Sequence, residues 1–237
     1  MKEEKEIQTK VGKRTDYEFK ESFLESGRIS LKKAFWLGIE SLGNDPLLLL
    51  IRYLPGPLGI KMRQIYYKRR LGYMGKGVII DPGVELLPPK NIYIDNFSYI
   101  GSGTRIYSPE GYVHIGKRCH ITGWILGHGG VEIDNYVGCG GKIISISDSH
   151  DGGHRMSGPM IPLAQRNLKK GKITIEKDAF IGQESMVMPG VTVGEGAVIG
   201  PFSYVFRNIK PWTIVLGNPA RKIGEREKVK FPDPDTD

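Results

Sequence analysis

Aliphatic residues recur along the C-terminal half of the chain at intervals of six: Ile175, Ile181, Val187, Val193, Ile199 and Val205. The same register shows earlier at Ile94, Ile100 and Ile106, at Ile115 and Ile121, and around Ile133. A period of six is neither the 3.6 of a helix nor the alternation of a hairpin meander; it describes a short strand plus a corner, repeated. The residue after each aliphatic position is often small or acidic (Glu176, Gly182, Gly194, Gly200). Four places on comes a compact one, as at Ala179, Ser185 and Ala197. The pattern predicts a parallel β-helix with aliphatic side chains pointing into a narrow shaft, and with glycine or asparagine absorbing unusual angles at the corners. Three hexads close a coil of about 18 residues, so the zone holds six or seven coils, each burying its apolar face only against its neighbours.

Two interruptions break the register. Ser108-Pro109-Glu110-Gly111 is short; the second runs from about Asp151 to Lys172, and a long segment expelled from a regular solenoid is read as functional. Ahead of the repeats the texture is helical. Ser30 is placed to cap a helix through Leu42, an apolar segment spans Leu47 to Leu54, and after Pro55-Gly56-Pro57 a basic helix is expected from about Leu58 to Tyr73. The expected organisation is a polar segment 1–28, a helical region 29–75, a β-helix 76–224 with a loop insertion 151–172, and a tail 225–237 expected to be disordered.

Composition narrows the class. The 237 residues are 39% hydrophobic and 25% charged, a globular balance, and the 32 glycines lack the every-third spacing of collagen. Two cysteines, Cys119 and Cys139, make neither a disulfide framework nor a four-thiolate zinc site, so a reducing compartment is expected. Met1 to Lys20 is a charged run without the apolar core of a secretory signal, and no apolar block approaches the roughly 18 residues of a spanning helix. The net charge of +8 favours an anionic partner, and Lys61, Arg63, Lys68, Arg69 and Arg70 concentrate it without an acid among them. Next to the apolar 47–54 segment, this cluster raises the expectation of peripheral membrane contact through 47–70; capping of the open end of the β-helix, or packing on a neighbouring subunit, is the alternative. No zinc-finger spacing and no basic-aromatic strand platform is present, so nucleic acid is not expected as a partner.

Ser149-His150-Asp151, the following loop, Ile173-Thr174-Ile175, Asp178-Ala179-Phe180-Ile181-Gly182, Met188-Pro189-Gly190-Val191-Thr192-Val193-Gly194 and Gly217-Asn218-Pro219-Ala220-Arg221 together resemble the hexapeptide-repeat acyltransferases. The likeness is to their sugar and polysaccharide O-acetyltransferase branch, the maltose/galactoside acetyltransferase type. It covers about Gly75 to Gly224 and implies a mainly β fold, a left-handed parallel β-helix, with trimeric assembly and acetyl-CoA lying between neighbouring subunits. It places the catalytic base on His150: an imidazole titrating near 6.5 takes the proton of an acceptor hydroxyl as it attacks the thioester. The backbone N–H of Gln183, after Gly182, falls where the oxyanion is held. Gly200 and Pro201 match the pantetheine contact, and Arg207 and Arg221 match basic residues that reach the phosphates, a task suited to the arginine fork. Phe180 stands where relatives often carry tryptophan, and His120 where some carry an acceptor-binding asparagine; both are candidate substrate contacts, as is His154. Asp134 and Asn135 are read as corner residues.

The expected activity is therefore acetyl-CoA-dependent transfer to a hydroxyl of a sugar or glycan by a cytoplasmic homotrimer, without a metal. N-acylation of an amino sugar or other amine, and a non-catalytic docking scaffold, are the alternatives. A metal-dependent carbonic anhydrase class shares the shaft, but it needs three converging imidazoles. His114 and His120 lie six apart and so belong to adjacent faces, whereas stacking takes 18.

Overall fold

The computed structural model describes residues 46–148 and 168–229. The chain divides into two compact units, 1–50 and 51–237; the helix expected from Ser30 to Leu42 lies outside the described residues. The second unit is a triangular parallel β-helix of about six coils. Its first face stacks Tyr73–Met74, Ile92–Ile94, Val113–Ile115, Val131–Ile133, Ile173–Ile175 and Thr192–Val193. The second stacks Ile79–Ile80, Tyr99–Ile100, His120–Ile121, Gly138–Cys139, Phe180–Ile181, Val198–Ile199 and Thr213–Leu216, and the third runs from Glu85–Leu87 through Arg105–Tyr107, Trp124–Leu126, Lys142–Ile144 and Met186–Val187 to Tyr204–Val205.

Inward residues build the shaft: Ile94, Ile115, Ile133 and Ile175 on the first face, with Ile92, Val113, Val131 and Ile173 buried two places before them, Ile100, Ile121, Cys139 and Ile181 on the second, and Ile106, Ile125, Ile143 and Val187 on the third. Like residues stack in register, Ile133 on Ile115 and under Ile175, so each aliphatic group meets the same group one coil away. Small hydroxyls fill the corners beside them: Ser98 Oγ donates to Gly116 O at 2.6 Å and Ser185 Oγ to Gly200 O at 2.7 Å. Asn135 Oδ1 accepts from Lys117 N–H at 2.7 Å, so this corner residue bonds the coil before it. The left-handed corner conformation is taken by glycine, as expected, at Gly77 (φ 69°), Gly83 (75°), Gly103 (74°) and Gly190 (82°), but also by Phe97 (59°), Arg118 (55°), Tyr136 (63°) and Asp178 (57°). The cost of about 1 kcal/mol at each of the latter four is held by the inter-coil hydrogen bonds on either side.

The interruptions fall where the register broke. Eighteen residues separate Ile115 from Ile133, but 42 separate Ile133 from Ile175. At the root of that insertion the chain makes an antiparallel ribbon, Ile146–Asp148 against Leu168–Lys170. The expected loop 151–172 therefore includes a strand, Leu168–Lys170, at its C-terminal end.

Both ends of the shaft are closed. The apolar 47–54 segment contains a helix, α1 (Pro46–Arg52), and the basic segment forms α2 (Gly56–Lys68). The expected end of α2 at Tyr73 is corrected: the chain turns at Arg69 to Gly72, and Tyr73–Met74 is already the first strand, so the β-helix starts before residue 76. The side chains of α2 satisfy the edge carbonyls of the first coil. Arg63 Nε donates to Ile80 O at 2.7 Å, Gln64 Nε2 to Val78 O at 2.8 Å, and Lys68 Nζ to Met74 O. Arg63 is 1% exposed, and its Nη1 also reaches Ile51 O (2.8 Å) and Leu54 O (2.7 Å). Two members of the basic cluster thus serve the shaft, the capping alternative raised from the sequence. At the far end Arg221–Glu225 returns antiparallel against Thr213–Leu216. Order continues past Gly224, since Arg226 pairs with Asp178 Oδ2 at 2.7 Å and lies over the Trp212 ring; Phe231 to Asp235 lie outside the described residues.

Candidate active site

Outward side chains alternate with the inward ones, so each face carries a column at the strand spacing of about 4.8 Å. On the second face this column is Ile79, Tyr99, His120, Gly138, Phe180, Val198 and Ile214, in register. His120 and Phe180 are thereby brought onto one face, two coils apart. The gap between them is Gly138, where an added Cβ would lie 2.9 Å from Phe180 Cδ2; the ring, 49% exposed, occupies the space a side chain would take. His120 meets the Tyr99 ring edge-on at 4.7 Å between centroids, and Tyr99 Oη donates to Asp81 Oδ2. That hydrogen bond to a carboxylate pushes the Tyr99 phenol above its ordinary pKa.

The corner between the second and third faces carries Gly182 and Gln183 in one coil and Gly200 and Pro201 in the next. Gly182 N–H donates to Ile199 O at 2.8 Å, and a Cβ there would lie 2.7 Å from Ile199 O and Pro201 N, so only glycine lets the coils close. Gln183 O accepts from Phe202 N–H at 3.0 Å, whereas its own N–H meets no acceptor among the described residues. Gln183 is exposed, and this corner offers an unspent backbone donor at the surface.

Arg207 and Arg221 are exposed near the C-terminal end of the shaft. Arg207 lies over the Phe206 ring at 5.2 Å, and Arg221 starts the return strand after a turn whose Ala220 N–H bonds Tyr204 O at 2.9 Å. Of their basic neighbours, Lys222 pairs with Glu225 at 2.5 Å and Arg226 with Asp178. His150 and His154 lie outside the described residues; the ribbon strand Ile146–Asp148 ends two residues before His150.

His114 stands on the first face and His120 on the second, so the two imidazoles diverge. His114 bridges two carboxylates, with Nδ1 3.1 Å from Glu132 Oε2 and Nε2 3.2 Å from Asp95 Oδ2. Tyr112 Oη also donates to Glu132 (2.7 Å). Burial raises the Glu132 carboxyl, but Tyr112, His114 and Lys172 outweigh it and leave the group below its ordinary value. Among the described residues no group of three or more His, Cys, Asp or Glu is arranged to hold a metal ion.

Sequence reasoning missed a second groove, of about 330 Å³, on the third face beside the Gly182–Gln183 corner. Arg105, Trp124, Lys142 and Glu184 line it. Its signal was in the sequence: Arg105, Trp124 and Lys142 each immediately precede an inward aliphatic residue, Ile106, Ile125 and Ile143.

Residues 172–207 match the family model "Bacterial transferase hexapeptide (six repeats)". A dTDP-4-amino-4,6-dideoxy-D-glucose acyltransferase of Escherichia coli is 33% identical over 139 residues, 58% of this chain and 70% of the relative. A putative colanic acid biosynthesis acetyltransferase, WcaF, of E. coli K12 is 26% identical over 153 residues, 65% of this chain and 69% of that protein. Among solved structures, AntD, an N-acyltransferase from Bacillus cereus in complex with dTDP and 3-hydroxybutyryl-CoA, superposes with a TM-score of 0.64 at 28% identity, covering 70% of this chain and 88% of that one. A left-handed parallel β-helix, the hexad register and a relative matched over more than two thirds of its length converge: the chain belongs to the hexapeptide-repeat acyltransferases and is an acyltransferase of their sugar-modifying branch.

Proposed function

We propose that the protein transfers an acetyl group from acetyl-CoA to a hydroxyl of a sugar or glycan, with His150 as general base. The observation that carries this reading is the corner itself. Gln183 presents an N–H with no acceptor among the described residues, beside Gly182, in the same coil as the exposed Phe180 ring and one coil from Gly200. A tetrahedral intermediate puts negative charge on the former thioester oxygen, and a fixed backbone donor stabilises that charge without reorganising. The bound thioester supplies the activated acyl carbon. The residues do the rest: Phe180 and His120 line the acceptor face, the glycine corners admit the pantetheine chain, and Arg207 and Arg221 offer guanidinium forks to its phosphates. His150 accepts the hydroxyl proton as the new C–O bond forms; when the C–S bond breaks, that proton passes to the departing thiolate.

A second reading is favoured by the relatives: one acts on a dTDP-linked amino sugar and AntD is an N-acyltransferase. The acceptor of this chain is then an amino sugar: its neutral amine attacks the thioester carbon, His150 takes the proton the nitrogen sheds as the C–N bond forms, and that proton passes to the departing thiolate. Assembly as a homotrimer is proposed from the second-face column, where Ile79 and Phe180 remain exposed in the single chain. No helix among the described residues is long and apolar enough to cross a membrane. The proposed location is the cytoplasm, which supplies CoA and keeps Cys119 and Cys139 reduced.

The test is CoA release from acetyl-CoA with a panel of neutral and amino sugars, products being assigned by mass spectrometry. His150→Ala is expected to lower kcat by about 10²–10⁴ with the protein still folded. A variant that keeps wild-type turnover refutes the base, and acylation confined to amines selects the second reading.

A further inference from the structure

We propose that the groove on the third face is a pyranose subsite of the acceptor, with Trp124 as its stacking platform. This deepens the function proposed above and rests on it. The outward column of this face runs Glu85, Arg105, Trp124, Lys142, Met186 and Tyr204, in register from coil to coil. Trp124 is 43% exposed, an indole face open to solvent between a guanidinium one coil below and an ammonium one coil above. An aromatic side chain left uncovered among charged neighbours is not explained by packing, since nothing apolar in its own column lies against it on either side.

The floor is kept flat by backbone. Gly123 has φ 132°, and a Cβ there would lie 2.1 Å from Gly141 O, so no other residue lets the two coils approach. The walls carry two cations, Arg105 and Lys142, and one carboxylate, Glu184, and each cation is already paired. Arg105 Nε lies 3.5 Å from Glu85 Oε2, and Lys142 Nζ bonds Glu184 Oε2 at 2.8 Å. Cations already paired in this way are oriented donors beside oriented acceptors, the arrangement that satisfies a ring of hydroxyls. A diphosphate would instead have to displace Glu184 from Lys142 and pay the repulsion of its carboxylate. A pyranose offers what the site asks for: an apolar C–H face for the indole, and an equatorial rim of groups that both donate and accept. At about 330 Å³ the groove is at the lower end of the roughly 300–1,000 Å³ of small-molecule sites, the scale of one sugar ring.

Position ties the groove to the chemistry. Glu184 follows Gln183 directly, and Lys142 begins the strand that leads through Ser145 into the ribbon ending two residues before His150. A ring stacked on Trp124 therefore sits alongside the reacting corner, and the groove selects which sugar presents its hydroxyl or amine there.

The experiment is saturation-transfer NMR on the full chain without CoA. The probes are methyl α-D-glucopyranoside, methyl β-D-galactopyranoside, the methyl glycoside of N-acetylglucosamine, and dTDP as the anionic arm. At least one pyranoside is expected to receive saturation, strongest on the protons of one ring face. Trp124→Ala is expected to weaken it at least about tenfold, equivalent to about 1.4 kcal/mol, while Trp124→Phe retains most of it. The proposal is overturned if no pyranoside binds, if dTDP alone binds, or if Trp124→Ala leaves affinity unchanged. It is also overturned if Trp124→Ala changes the sedimentation coefficient, which assigns the indole to a subunit interface. Because binding is read without CoA, a pyranoside that binds but is never acylated refutes O-acetyl transfer to that sugar and leaves the subsite standing.

Discussion

Replacing Arg63 by methionine isolates how the N-terminal end of the shaft is closed. The guanidinium is 1% exposed and gives three hydrogen bonds of 2.7–2.8 Å, to Ile80 O, Ile51 O and Leu54 O. Burial disfavours its charge and pulls its pKa down from the ordinary arginine value. Methionine fills most of the volume but leaves three carbonyls without a donor, each worth about 1–3 kcal/mol when buried. Relief of the cation's own desolvation offsets part of that sum. The expected net loss is about 3–5 kcal/mol, the range for removing one side of a buried charged network. The assay is urea unfolding at fixed protein concentration, with Lys61→Met, exposed on the same helix, as the control expected within about 0.5 kcal/mol of wild type. Hydrogen exchange in the same samples should show the first two coils losing protection before the rest, because a solenoid frays from an unstapled end. An Arg63→Met protein within 1 kcal/mol of wild type, or a control equally damaged, refutes the capping argument.

Two further outcomes are expected. Burial pushes the Cys119 thiol up to about 12 and Cys139 up to about 11, so an aromatic disulfide reagent at pH 8 should find no reactive thiol in the native protein and two in denaturant; labelling of the folded chain would contradict the burial. The face of α2 with Leu58, Lys61, Ile65 and Arg69 exposed is expected to give weak, salt-sensitive sedimentation with anionic liposomes, weaker than the sequence cluster suggests because Arg63 and Lys68 are already engaged; no binding at low salt removes membrane contact from the account.

What the sequence disclosed depended on whether a residue's role repeats. The shaft was legible because Ile175 and its successors do the same job every six positions, and period alone separates that job from a helix or hairpin. The return of the register at Ile173, after the break, likewise located the insertion. Arg63 was not legible, since nothing along the chain distinguishes an arginine that feeds edge carbonyls from Lys61 beside it, which faces solvent. The ribbon at the root of the insertion was hidden for a related reason: Leu168–Lys170 pairs with residues 20 to 24 places earlier, and local pattern carries no record of such partners. Glycine marked only some of the left-handed corners, such as Gly77 and Gly196; Phe97, Tyr136 and Asp178 take the same conformation because the coils above and below hold the angle. Trp124 was overlooked since the core register marks inward positions and says nothing of what an outward one is for. His150 was placed by motif, and its surroundings lie outside the described residues.

The two stoppered ends have a consequence for the molecule in bulk. A β-helix cut short exposes a ready template, and another copy can dock on it end to end, then another, into filaments. Here one exit is filled by α2 and the other by a strand running the wrong way for further parallel growth, with Arg221, Lys222 and Glu225 on it. Parallel growth coil upon coil is therefore interrupted at the second face, where the last strand runs antiparallel and carries charge on its outer edge.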